Sequence, residues 1–282
     1  MKRSVWAVAV VLLALGSSSV WAQPAATNWT GFYVGLNLGY GWADSSTVGL
    51  TPGNIGSNTL SCAGNLGSTC PQSASFSMEG VTGGVQFGYN WQLGNRWLVG
   101  LQADYDLTAI KGDGLSNSWN LASGTPFVVN TYGSSHLLDL GTLRGRLGYL
   151  FNDYLLVFGS GGWAFGRVRN EAQIINNSAV PTGAGTAGAQ AVCTVVGTCV
   201  LAENTRWTSG WTAGGGFEYM LPSNPKVSVS FEYLFAHLST ADNFALTFNQ
   251  SAFFPTTPGA VLNANFSGFD VQTVRVGLNV HF

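Results

Sequence analysis

Apolar residues recur at every second position through several stretches of the chain, the pattern of a strand with two unlike faces. From Gly31 to Ala43, Phe32, Val34, Leu36, Leu38, Tyr40 and Trp42 share one face. Tyr33, Gly35, Asn37, Gly39, Gly41 and Ala43 share the other. From Val81 to Trp91, Val81, Val85, Phe87, Tyr89 and Trp91 oppose Thr82, Gly84, Gln86, Gly88 and Asn90. From Trp97 to Leu107, Trp97, Val99, Leu101, Ala103, Tyr105 and Leu107 oppose Gln102, Asp104 and Asp106. A fourth strand, about His136 to Leu150, is clear only near its end, where Leu143, Leu147 and Tyr149 oppose Arg144 and Arg146. In a fifth, about Leu155 to Arg169, Trp163 and Phe165 select one face and Phe158 the other, which implies a bulge among the glycines.

Two further strands are regular: Trp207, Trp211, Ala213, Phe217 and Tyr219 oppose Thr208, Thr212 and Glu218, and Val227, Val229, Phe231, Tyr233 and Phe235 oppose Ser228, Ser230 and Glu232. The eighth closes the chain, with Val274, Val276, Leu278, Val280 and Phe282 on one face and a phase slip expected near Asp270 to Thr273. Each apolar stripe covers about ten residues, the length of a tilted strand crossing a membrane.

The connections alternate in length. Those at 92–96, 151–154 and 221–225 are short, whereas 45–76, 112–135, 170–206 and 241–268 are expected as long loops rich in Gly, Ser, Asn and Thr. Seven connections join eight strands. Loops of that length are uncommon in compact soluble domains, while outer-membrane barrels pair short periplasmic turns with long extracellular loops. Both termini are then expected in the periplasm. Phe32, Trp91, Trp97, Tyr149, Tyr154, Tyr219 and Phe282 fall at the periplasmic rim, as an interfacial girdle would.

Composition narrows the class. Only 9% of residues are charged, against about 25% in ordinary globular domains, while Gly numbers 38 and aromatic residues make up 13%. After the first segment, no run approaches the ~18 apolar residues of a membrane helix, so the 46% hydrophobic content arrives as alternation. In lipid only helices and closed barrels satisfy every backbone group. The expected fold class is all-β: an eight-stranded antiparallel transmembrane β-barrel. A net charge of −2 argues against a nucleic-acid partner. Lys2 and Arg3, the apolar stretch Val5 to Leu15 and Val20-Trp21-Ala22 have the layout of a cleaved signal peptide over 1–22, leaving a barrel domain over 23–282.

Asn28-Trp29-Thr30-Gly31-Phe32-Tyr33-Val34-Gly35, Gly83-Gly84-Val85-Gln86-Phe87-Gly88-Tyr89-Asn90-Trp91 and Leu143-Arg144-Gly145-Arg146-Leu147-Gly148-Tyr149 resemble the outer-membrane immunogenic proteins of alphaproteobacteria. These form a porin-like eight-stranded barrel family related to the opacity proteins. The resemblance covers nearly the whole mature chain and implies a location in the cell outer membrane. It implies contact with outer-membrane lipid and lipopolysaccharide, and recognition of the terminal strand by the barrel-insertion machinery. It supplies no catalytic motif, metal site or cofactor to carry over.

The four cysteines fall as two local pairs, Cys62 with Cys70 and Cys193 with Cys199, each within one expected loop. In an exported protein two short-loop disulfides are the natural reading, at about 2–3 kcal/mol each in the chain-entropy model. Cross-loop pairing stays open, and neither pair has the Cys-x-x-Cys spacing of a zinc site. By parity Asp104, Asp106, Arg144, Arg146, Glu218, Glu232 and Arg275 point into the lumen. Buried charges must pair, and the interior of an eight-stranded barrel is just wide enough for side chains to fill. The expectation is a lumen closed by a charged network. A narrow pore lined by the same residues and a catalytic pair of carboxylates, Glu218 with Glu232, are the alternatives.

Other chemistry has less behind it. His237, Ser239 and Asp242 at the outer end of one strand, and Ser134, Ser135 and His136 at another, offer the residue types of a lipid-modifying hydrolase. A haem-binding or host-binding surface barrel would need axial-type ligands, of which the loops hold few beyond Tyr132 and His136. Gly159-Ser160-Gly161-Gly162 and Gly214-Gly215-Gly216 lack the phosphate-loop pattern and are expected to leave room for large lumen side chains. The function expected is a surface barrel with a structural or surface-interaction role, its external ligand and oligomeric state open, with a low-conductance porin as the alternative.

Overall fold

Every strand of the ring has an inward and an outward face, and which of them is apolar changes along its length. The computed structural model describes residues 28–52, 73–117, 119–120, 128–176, 197–239, 242–247 and 261–282. Its strands are β1 (Gly31–Pro52), β2 (Ala74–Leu93), β3 (Trp97–Leu115), β4 (Trp119–Asn120), β5 (Val128–Leu150), β6 (Leu155–Asn176), β7 (Gly197–Leu221), β8 (Asn224–Leu238), β9 (Asp242–Thr247), β10 (Val261–Phe266) and β11 (Phe269–His281). β1, β2, β3, β5, β6, β7, β8 and β11 pair antiparallel in that order, and β11 returns to β1. The ring is an eight-stranded β-barrel. Phe282 N–H donates to the Phe32 carbonyl at 2.9 Å and fastens the last residue across the closure.

The strands are longer than the apolar stripes foretold. β1, β2, β3, β5, β6 and β7 run to 19–25 residues, where about 10 suffice to cross a bilayer. Much of what reads as long loop is therefore strand: β1 continues to Pro52, β5 starts at Val128, and β7 starts at Gly197. Within 241–268, β9 and β10 form a hairpin whose β10 edge pairs with the far end of β1.

β2 shows how the sequence disguises these extensions. On its inward face Ala74, Phe76 and Met78 are buried, followed toward the turn end by Thr82, Gln86 and Asn90. On its outward face Ser75, Ser77 and Glu79 give way to the exposed Val81, Val85 and Phe87. Alternation in burial is unbroken while the chemistry of the two faces exchanges. Near the turn end the barrel is apolar outside and polar inside; beyond Glu79 it is polar outside and apolar inside.

That exchange corrects two expectations. The terminal strand has no phase slip: Phe269, Val271, Thr273 and Arg275 all face inward, in continuous register with β1 and β8. The apparent slip is the crossing from apolar to polar lumen. Nor is there a bulge among the β6 glycines, since pairing with β5 runs unbroken from Leu156 to Arg167. Phe158 points into the lumen, where the Arg146 guanidinium lies 3.9 Å from its ring centre. The irregularity lies instead in β5, between Leu137 and Asp139.

Two apolar clusters bracket the lumen. At the loop end Val48, Phe76, Met78, Ile110, Leu137, Val168, Ile174, Leu238, Leu262 and Phe266, with their neighbours, pack a core inside the ring. At the turn end Trp29, Leu98, Leu150, Leu156, Phe158 and Met220 form a plug. Of the expected girdle, Phe32, Trp91, Trp97, Tyr219 and Phe282 are exposed, and Trp97 meets Tyr149 edge-on at 5.3 Å. Tyr154 instead packs against the plug.

Candidate functional site: the charged lumen

Between the plug and the upper core, inward-facing positions of five strands bring seven charged side chains together. β3 contributes Asp104 and Asp106, β5 Arg144 and Arg146, β7 Glu218, β8 Glu232 and β11 Arg275. All seven are buried, with Glu218 at 0% and Arg144 at 1% exposure. Arg144 Nη2 donates to Asp104 Oδ2 at 2.9 Å, and Nη1 pairs with Glu232. Arg275 Nη1 reaches Asp104 Oδ1 at 2.7 Å and Asp106 Oδ2 at 3.1 Å, while its Nη2 reaches Glu232 Oε2 at 2.7 Å. Arg146 Nη2 donates to Glu218 Oε2 at 2.7 Å. Two guanidinium groups thus hold three carboxylates, and the third holds the fourth. In a water-poor interior each such contact is a charge-assisted hydrogen bond.

Neutral side chains complete the arrangement, and parity arguments aimed at charges passed over them. Asn37 Nδ2 donates to Asp106 Oδ1 at 2.8 Å. Glu218 Oε1 accepts from Ser228 Oγ at 2.5 Å and from Asn279 Nδ2 at 2.8 Å, and His281 Nε2 lies 3.3 Å away. Tyr33 Oη accepts from Arg146 at 3.1 Å and donates to Gln102 at 2.9 Å. Below them Trp29 seals the turn end: its indole N–H donates to the Asp153 carbonyl at 3.1 Å. Tyr33, Asn37, Asn279 and His281 share the inward parity of their strands and were legible on that ground; Trp29 precedes the first strand and was not.

The glycine reading divides. Gly162 lies opposite Arg144 and Gly216 opposite Glu232. A Cβ on Gly162 would strike the Leu143 carbonyl and crowd the Arg144 backbone, and one on Gly216 would strike the Phe231 carbonyl and crowd the Glu232 backbone. These glycines let the strands approach beside bulky partners. Gly159, Gly161 and Gly215 lie on the opposite face and make no room in the lumen. Gln86, Gln102, Arg146, Glu218 and Asn279 line a crevice among these side chains too narrow to hold a water molecule, far from the about 300–1,000 Å³ of a ligand pocket.

The residues that suggested a hydrolase go to separate partners. His237 Nδ1 contacts Asp270 Oδ1 at 2.6 Å, Ser239 Oγ donates to the Ser209 carbonyl at 3.1 Å, and Asp242 accepts from Asn170 and Asn204. Ser135 donates inward to Asn170 at 2.7 Å, while His136, one residue on, belongs to the opposite face. Glu218 and Glu232 are held by different guanidinium groups. Val274, Val276, Leu278 and Val280 fall on the outward face of β11, and Phe282 ends it at 77% exposure. The segment 1–22 and Cys62, Cys70 and Cys193 lie outside the described residues, as does the Cys199 side chain.

The outer membrane protein β-barrel domain family matches residues 8–282. The chain belongs to that family. It is 28% identical over 263 residues to the 31 kDa outer-membrane immunogenic protein of Brucella melitensis biotype 1, covering 93% of this chain and 87% of that protein. The protein of the same description from Brucella suis biovar 1 matches equally. Among solved structures, the outer membrane protease OmpT from Escherichia coli aligns over 92% of this chain and 99% of its own at 8% identity, with a TM-score of 0.47. The protein is an outer-membrane β-barrel, and its exposed apolar band faces lipid.

Proposed function

We propose that this outer-membrane protein is a closed, non-enzymatic barrel whose lumen is a structural element and whose contacts are made by the parts projecting from the membrane. The observation that carries this reading is the filling of the lumen at three successive levels: the Trp29 plug, the Arg–carboxylate network and the apolar upper core. Export through the 1–22 segment, insertion through the terminal strand and both termini in the periplasm accompany the reading. The short turns at 94–96, 151–154 and 222–223 then face the periplasm, and the long strand extensions face outward. An external ligand, a host surface among the candidates, would meet the extensions and their connecting loops.

A low-conductance porin is the second reading, favoured by the charged side chains that line the lumen. Planar-bilayer recording of the refolded mature chain separates the two, beside a variant carrying Glu218→Gln and Glu232→Gln. A silent wild type, in a sample whose folding is verified by heat-modifiable gel migration, is the expected result. Reproducible conductance steps whose ion selectivity shifts in the variant would overturn closure and make the protein a porin.

A further inference from the structure

The Lys and Arg side chains are few and unevenly placed. Of eleven in the chain, Lys2 and Arg3 lie in the N-terminal segment, Arg96 and Lys226 at the turn end, and Arg144, Arg146 and Arg275 in the lumen. The remaining four, Lys111, Arg167, Arg169 and Arg206, all lie just beyond the loop-end edge of the exposed apolar band. Arg206 is on the inward-phased face of β7, near Asp242. The other three project outward.

Strand register gathers them. Lys111 on β3 lies opposite His136 on β5, and His136 opposite Arg169 on β6. These positions form one row on the outer wall, spanning two inter-strand gaps or about 10 Å. Arg167, two residues below Arg169, is fixed by Asp139 at 2.5 Å and lies 5.5 Å from the Trp207 ring centre. Among the described residues neither Lys111 nor Arg169 forms an ion pair. Glu79, the cross-strand neighbour of Lys111, has Tyr40 as its hydrogen-bond partner. Burial first, and then the like charges of Lys111 and Arg169, hold His136, outside the membrane-spanning part, below the ordinary imidazole range. Among the described residues the buried His136 Nε2 has no hydrogen-bond partner.

What lies above and below the row identifies its partner. Below the row the outer wall passes into the lipid-facing band, through the exposed Val81 on β2, Leu107 on β3 and, beyond Arg167, Trp163 on β6. Directly above, in the same register, come Asp113, Ser134, Glu171 and Glu203. A soluble polyanion arriving from outside would meet the acidic row first. A phosphate attached to a lipid seated against the band meets the basic row. We infer that Lys111, His136 and Arg169, flanked by Arg167, form an outer-wall site for the phosphate of an outer-leaflet glycolipid. The acyl chains of that lipid would lie along the exposed apolar band. The site stands whether or not the lumen conducts.

The test uses the full mature chain refolded into phosphatidylcholine vesicles containing bis-phosphorylated lipid A, dephosphorylated lipid A or phosphatidylglycerol. Glycolipid retained by the protein after detergent extraction and gel filtration is measured for the wild type and for Lys111→Gln with Arg169→Gln. Retention of bis-phosphorylated lipid A by the wild type, lowered about 30-fold in affinity by loss of two surface cations, is expected. An Arg96→Gln and Lys226→Gln control at the opposite rim should retain lipid A as the wild type does. Equal retention of the dephosphorylated glycolipid, or of phosphatidylglycerol, would overturn the inference, since the first removes the phosphate and the second makes the attraction merely one for anionic lipid. Equal retention by wild type and double variant overturns it too. Both substituted side chains are on the outer wall, and heat-modifiable migration verifies that the variant is folded.

Discussion

The turn-end and loop-end halves of this barrel share eight strand directions and one continuous ladder, yet they solve opposite solvent problems. In the turn-end half Leu36, Leu38, Phe87 and Leu107 are exposed while Arg144, Glu218 and Glu232 are buried. In the loop-end half Val48, Phe76, Ile110 and Ile174 are buried while Ser77, Lys111 and Glu171 lie on the outer wall. A strand of about 22 residues rises roughly 55 Å along a barrel axis at typical tilt, against about 30 Å of hydrocarbon. The excess stands in water, and there the outer wall must be polar. Its inner face then gains by burying apolar side chains, as in any soluble barrel. Within lipid that gain vanishes at the outer wall, and paired polar groups fill the lumen instead. The boundary between the halves passes near Glu79 and Val81 on β2.

Substitutions can break this contrast. The largest effect is expected for Arg275→Leu, which strips Asp104, Asp106 and Glu232 of a shared guanidinium. Removing one member of a buried ionic cluster costs about 3–5 kcal/mol, read as a lower unfolding free energy in a urea titration of vesicle-inserted protein. A change under about 1 kcal/mol would mean that water, and not Arg275, solvates those carboxylates. Next comes Ile110→Ala in the upper core, where Ile110 is fully buried. A loss of about 2–5 kcal/mol is expected from the cavity, and an unchanged unfolding midpoint would show that the loop-end ring is not packed. The sharpest test compares two positions on one face of one strand. Phe87→Arg, in the exposed apolar band, should cost about 2–4 kcal/mol if it lies near the midplane, whereas Ser77→Arg should stay within about 0.5 kcal/mol. Equal costs would erase the boundary.

Much of this architecture was legible. Period-2 stripes located the turn-end half of each of the eight ring strands, though not β4, β9 or β10, and short turns against long separations fixed the count of the ring at eight. Inward parity collected Asp104, Asp106, Arg144, Arg146, Glu218, Glu232 and Arg275 before any distances were known. The extensions were missed for a definite reason: reading the apolar face as the outward face fails once the outer solvent is water. Ser75, Ser77 and Glu79 then look like loop, and Val271 and Phe269 look like a slipped phase. Phe158 was misread in the same way: taken as an outward-facing apolar residue it implied a bulge, whereas it faces inward, where the plug and Arg146 receive it.

By itself, the sequence determined the lower barrel: its period, its strand number, its lipid-facing band and the sign of each lumen charge. These follow from local alternation, which a strand cannot disobey without turning every side chain to the wrong face. Only the tertiary structure decided which carboxylate each arginine takes, that Trp29 closes the turn end, that His237 goes to Asp270 and not to Ser239, and that Lys111, His136 and Arg169 share a row. Those contacts join residues tens to hundreds of positions apart, and they depend on the register between strands. Register is set by the closure of the whole ring, with its extra residues between Ala43 and Ser46 and between Leu137 and Asp139, and no single strand carries that information.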